Sequence, residues 1–311
     1  MLRAAGRAKT SLGNATGLVA AFVRTQADPG SPLAGRACRG STAGRRRGKP
    51  GGGFCDRSGK PDLYYTVFGL QCLLALGEGV PAATEGYLRS LADPRTLDFI
   101  HAACLARCWA LVRPEGAPAE VRGAIVERLQ AFRSADGGFG IFPGADTGAA
   151  YGAFLALGAL EDLGAEVPEP GALATSVQSL RMPDGGCTND FLLPLSSTPA
   201  AAACVAVLSA LGRPLAPEMI SYLLARVDPS GGLLATAGAP VADLLSTATG
   251  LHALWGAGVS LDETSRLTCA GFVASLVTES GGFRGHAADN AADCEYTFYG
   301  LMALGHLAGK R

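Results

Sequence analysis

Charge is scarce in this chain and nearly cancels. Of 311 residues, 17% are charged, and the formal net charge is −1. A balance of that kind produces no long-range field to gather nucleic acid or an anionic membrane. The nine cysteines include no Cys-x-x-Cys pair and are odd in number. This argues against a secreted disulfide framework and for a reduced, cytoplasmic compartment. Apolar runs are short as well: none reaches the roughly 18 residues a membrane-spanning helix needs. The longest, Ala200 to Leu211, reads as an alanine-rich buried helix. Also missing are a signal-peptide core, a phosphate-binding glycine loop, a nucleophile elbow and any nucleic-acid-binding motif.

Glycine, by contrast, is plentiful and regularly placed. Glycine-centred breaks fall at Gly51-Gly52-Gly53-Phe54, Gly137-Gly138-Phe139, Gly185-Gly186-Cys187, Gly231-Gly232-Leu233 and Gly281-Gly282-Phe283, with a degenerate one near Asp93-Pro94. The last four are spaced by about 48 residues, and the gap from the first is close to two such periods. Units of this size are helical hairpins, none of which can bury its apolar face alone. Each unit reads as an outer helix, a glycine loop and an inner helix. Paired glycines suit the left-handed backbone angles of a helix stop. Inner helices open on Asp62, Asp98, Asp146, Asp243 and Asp293, or on Ser196-Ser197-Thr198-Pro199 in the fourth unit; these are N-cap residues. Thr66, Thr247 and Thr297, then Gly69, Gly250 and Gly300, follow at fixed offsets. Such small residues allow inner helices to approach closely in a tight ring. The end units, Asp62 to Leu70 and Asp293 to Leu301, are the most alike and are apolar and aromatic. Polar caps would mark an open solenoid. The expectation is therefore an all-α fold, one domain over 1–311, closed into an α/α barrel of six hairpins and about twelve helices.

Near the start, Leu18, Val19, Phe22 and Val23 share one face of a helix opened by Thr10 or Ser11. A basic insertion rich in Gly, Pro, Ser and Arg occupies 27–51 and reads as disordered. It is a solvated loop on this reading, with docking on an acidic partner or RNA as the alternative.

Asp62-Leu63-Tyr64-Tyr65-Thr66, Gln71-Cys72-Leu73, Asp146-Thr147 and Gly281-Gly282-Phe283 leading to Thr297-Phe298-Tyr299-Gly300 carry a resemblance over 17–307 outside the insertion. The chain resembles protein prenyltransferase β subunits, above all those of the type II (Rab) geranylgeranyltransferase. The resemblance implies a barrel around an apolar funnel, an isoprenoid substrate, a separate helical α-type subunit, and a zinc ion that activates a thiolate. The zinc-binding Asp of that family falls on Asp243, its Cys on Leu245 and its His on Tyr296. Its diphosphate-binding groups fall on Thr236, Ala239, Ser246 and Ser197 or Thr198. Only Asp243 can ligate a metal, as a remnant.

The residues leave other constellations open. Asp98, His101, Cys104 and Cys108 form a stripe on one helix, the first three being a weak alternative metal cluster. Asp289, Asp293, Cys294, Glu295 and His286 crowd the last loop, where one carboxyl could become a general acid. Terpene cyclases of this architecture use such an acid but mark it with Asp-x-Asp-Asp, which is absent. Tyr65, Tyr151, Trp255, Tyr296 and Tyr299 are the candidate funnel lining. The expected function is a prenyltransferase-like protein that transfers or holds an isoprenoid, with a non-catalytic lipid- or protein-binding barrel as the alternative.

Overall fold

The computed structural model describes residues 51–91 and 93–309, together with Val19 and Val23, both helical and fully buried. The rest of the expected first helix and nearly all of the 27–51 insertion lie outside the described residues. Among the described residues the chain is helical, with one two-stranded ribbon, Leu233–Leu234 paired antiparallel with Ala242–Asp243.

The inner helices are α1 (Leu63–Ala75), α3 (Phe99–Val112), α5 (Ala150–Asp162), α7 (Thr198–Ala210), α9 (Leu244–Gly256) and α11 (Cys294–Ala308). Between them run the outer helices α2 (Thr84–Arg89), α4 (Ala119–Gln130), α6 (Pro170–Ser179), α8 (Pro217–Leu224) and α10 (Glu263–Ser275). Each inner helix packs on the next, and α11 packs on α1, so the ring closes. Phe68 on α1 meets Phe298 and Tyr299 with ring centroids 5.8 and 5.7 Å apart, and the Cys72 thiol donates to the Cys294 carbonyl. An all-α closed barrel of hairpins is therefore the fold. Its main core lies between the two rings of helices, around Phe54, Trp109, Phe139 and Phe283.

Asp62, Asp98, Asp243 and Asp293 cap α1, α3, α9 and α11, each accepting from the amide three residues on, and Ser197 caps α7. Asp146 does not cap α5, contrary to the sequence reading; Ala149 holds that place without a side-chain cap. The amide of Ala150 donates instead to the Asn189 carbonyl of the next unit, and Thr198 and Leu244 do the same to Ala235 and Gly285. This stitching between loops replaces the missing cap.

The glycine loops also differ from expectation. They are tight hairpins, bridged from Arg133 to Phe139, Arg181 to Cys187, Val227 to Leu233 and Val277 to Phe283. Their glycines take the left-handed angles expected, as at Gly137 (φ 86°) and Gly281 (φ 96°), but in the hairpin turn; inner helices also end on such glycines, as at Gly77 after α1. The loop's next residue turns inward onto the inner helix. Phe54, Leu233 and Phe283 donate their amides to the Thr66, Thr247 and Thr297 hydroxyls and lay their side chains on Gly69, Gly250 and Gly300. The small residues thus mainly receive the loop. Gly250 also lies near a neighbouring inner helix, at Thr198.

Candidate functional site

All inner helices run the same way, so their N-caps surround one mouth of the ring. A pocket of about 500 Å³ opens there, lined by Arg57, Tyr65, His286, Ala288, Asp289, Asp293, Glu295 and Tyr296. The acidic cluster read from the last loop is brought together here. Its missing member is Arg57, on the first glycine loop. The guanidinium donates through Nε to Asp293 at 2.7 Å and through Nη2 to Asp289 at 2.9 Å, and lies 5.6 Å from the Tyr296 ring centre. Sequence separations of 236 and 232 residues hide this pairing. Only ring closure, which sets the first loop beside the last, could have revealed it.

Glu295 lies just inside the mouth and accepts from the Tyr64 hydroxyl at 2.7 Å. Burial raises its pKa and the Asp293 charge adds to the rise, against the pull of Tyr64 and Arg57. Asp289 goes the other way. Burial opposes its ionisation, but the Ala291 amide and Arg57 hold its carboxyl below the usual range. One loop therefore carries an ionised carboxylate and, at its inner edge, a carboxyl that resists ionisation.

Deeper in, Tyr64 and Tyr299 stand beside Glu295, and Tyr151 reaches across the lumen toward them from α5. Burial raises all three phenols, so they stay neutral. Tyr151 remains 37% exposed although it sits on an inner helix. Of the expected lining, Tyr65 and Tyr296 border the pocket, while Tyr151 and Tyr299 lie deeper, close enough to feel the Glu295 carboxyl. Trp255 lies at the far end, 5.7 Å from the His306 ring, which is also within 3.0 Å of His252.

The metal candidates are dispersed. Both Asp243 oxygens accept from Ser246, one from its amide and one from its hydroxyl, while Leu245 and Tyr296 offer no ligand beside it. His101 Nδ1 is 2.7 Å from Asp98 and its Nε2 is 3.9 Å from Asp62, a link between two neighbouring caps. Cys104 is buried, its thiol pushed up to about 12 by burial, and Cys108 is fully buried. Among the described residues no three of His, Cys, Asp and Glu form a group able to hold a metal ion.

A family model for the prenyltransferase alpha-alpha toroid domain matches residues 45–105, 104–193 and 196–310. The chain belongs to this toroid family. No curated protein matches its sequence. Among solved structures, the toroid is similar to the type II terpene cyclase MstE from Scytonema, at 12% identity and a TM-score of 0.59 over 96% of this chain and 97% of that one. It is also similar to ent-copalyl diphosphate synthase from Streptomyces platensis, with 16% identity and a TM-score of 0.53 over 96% and 67% of the two chains. A protein from Actinoplanes matches at 14% identity and a TM-score of 0.51 over 79% and 89%. At these identities the likeness is one of fold. The match is to the toroid domain and does not single out the Rab-type β subunits.

Proposed function

We propose that this toroid holds an isoprenoid, or a comparably apolar chain, with its uncharged head at the mouth. The observation that carries the reading is Glu295, a partly buried carboxyl whose ionisation is disfavoured by burial and which accepts from Tyr64 at the inner edge of the pocket. Tyr64 donates to one oxygen, and in the protonated form the other can donate a hydrogen bond to a hydroxyl, carbonyl or ether. The Asp-x-Asp-Asp run with which terpene cyclases mark their acid is absent, so holding fits better than cyclisation.

Charge at the mouth points the same way. Asp289 and Asp293 share the one Arg57 guanidinium, so a diphosphate would meet an excess of negative charge. Support also comes from MstE, which has been solved with geranylgeranyl dihydroxybenzoate as substrate and merosterolic acid A as product. Zinc-dependent transfer of the β-subunit type, with a helical α-type partner, is the second reading. The single observation in its favour is Asp243, which keeps the place of the first ligand but spends both oxygens on its cap.

The test is binding of geranylgeraniol against geranylgeranyl diphosphate to the purified full-length protein. The uncharged alcohol binds at least about tenfold more tightly. Tighter binding of the diphosphate, or no binding of either, refutes the reading. Glu295 is neutral below its raised pKa and charged above it, so alcohol binding weakens as pH rises through that value. Glu295→Gln, permanently neutral, keeps its affinity there.

A further inference from the structure

The mouth of the ring is divided. On the side of the first and last units it carries Arg57, Asp289 and Asp293. On the side of the third to fifth units, large apolar side chains stand in solvent. Leu192 is 91% exposed, Leu193 72% and Phe142 65%, with Val241, Leu195 and Phe191 each about half exposed. They come from three successive loops between a glycine hairpin and an inner-helix cap. The stitches from Ala150 to Asn189 and from Thr198 to Ala235 hold those loops side by side. Single exposed leucines are ordinary on a surface; six large ones on neighbouring loops are not.

We infer that this half of the rim is a docking surface for a lipid bilayer, inserted shallowly with the mouth of the ring against the membrane. The bond pattern at the tip favours hydrocarbon over a protein groove. Asp190 accepts from the amides of Leu192 and Leu193, the Thr188 hydroxyl donates to the carbonyls of Asp190 and Leu193, and the Leu195 amide also donates to the Leu193 carbonyl. The loop is stapled from beneath. Its leucines are held outward and cannot fold back, and much of the backbone at the tip already has partners. Entry into hydrocarbon demands this, because no water is there to replace a missing partner. The shape is a protruding wedge, whereas partner helices and peptides seat in grooves.

Charge sets the kind of membrane. No lysine or arginine lies in the loop segment 187–197 that carries the tip, and Asp190 sits at its base. Attraction to anionic headgroups contributes little, and insertion of the apolar side chains is the driving force. Continuity with the lumen supplies the purpose. A chain leaving a bilayer would pass from the wedge directly into the ring. Docking itself does not depend on the isoprenoid reading, since it is measured on vesicles that contain none.

The experiment is flotation of the full-length protein with phosphatidylcholine vesicles, without and with about 20% phosphatidylserine. Both preparations bind to a similar extent. Leu192→Asp lowers the partition coefficient at least about tenfold, and the double change with Leu193→Asp at least about a hundredfold, since each removes a buried leucine. Thermal melting checks that the variants fold; should they not, Leu192→Ser with Leu193→Ser is used instead. A second readout is Leu192→Trp with brominated lipids, which quench its emission when the tip is inserted. Failure of the wild type to float, or equal flotation of folded variants, overturns docking but leaves the lumen reading intact. Flotation that requires phosphatidylserine also overturns it, as does capture of a protein partner by the same leucines without vesicle binding.

Discussion

Replacing Gly69 by alanine tests whether the glycine loops, and not the helix contacts, determine the spacing of the inner ring. A Cβ at Gly69 would lie 2.1 to 2.4 Å from three atoms of the Phe54 ring, which is itself fully buried. The Phe54 amide is tied to Thr66, so the ring cannot retreat without breaking that bond. Overpacking of this kind costs about 1–3 kcal/mol, while alanine in a helix gains about 0.5–1 kcal/mol over glycine. The net is a loss of up to about 2.5 kcal/mol, or up to several degrees in melting temperature at roughly 2–4 °C per kcal/mol for a large domain. Gly123 on α4 is the control, because a Cβ there meets nothing within 4 Å. Gly123→Ala is expected to stabilise by about 0.5–1 kcal/mol. Urea denaturation of the two variants, and of Gly69→Ala combined with Phe54→Leu, measures the terms separately. The double variant recovers at least about 1 kcal/mol relative to the sum of the single changes. If Gly69→Ala were as stabilising as Gly123→Ala, the loop-to-glycine contact would not be what holds the spacing.

Three further outcomes are expected. Arg57→Ala strands the Asp293 carboxylate, only 5% exposed, and costs about 1–3 kcal/mol by denaturant titration; Arg57→Lys recovers only part of this, having no paired fork. His252 is held neutral by burial, its pKa lowered from 6.5 to about 4. Its contribution is fully present above pH 6.5 and is lost as pH falls toward 4, by about 3 kcal/mol in all; His252→Phe flattens that part of the stability profile. Glu295 has the opposite sign. Its pKa is raised, so its stabilisation is present at acidic pH and declines as pH climbs toward the folded value, a slope that Glu295→Gln abolishes in thermal melts.

Sequence carried the ring because repetition is visible without coordinates. Five glycine breaks and the aspartate caps mark each hairpin, and the likeness of Asp62 to Leu70 with Asp293 to Leu301 foretold closure. Asp146 misled because it lies in the right composition but three residues early; the backbone stitch at Ala150 is invisible in residue types. Thr66 and Gly69 were placed on the correct helix, but the Phe54 that rests on them was not foreseen, since helical spacing shows which residues share a face but not what lies against it. At the mouth, the crowding of Asp289, Asp293 and Glu295 was legible. The divergence of Asp289 from Glu295 was not, because it depends on Arg57 and Tyr64 arriving from the other end of the chain. The leucine tip escaped notice because four apolar residues read as buried until a loop displays them.

Contact between α1 and α11 also governs how the protein comes apart. An array with free ends can shed its last hairpin while the others persist. Here each inner helix is flanked on both sides, so no single hairpin is the natural place for melting to begin. Loss of structure should be all-or-none, and joining segments some 230 residues apart makes refolding slow, as expected when distant partners must meet late.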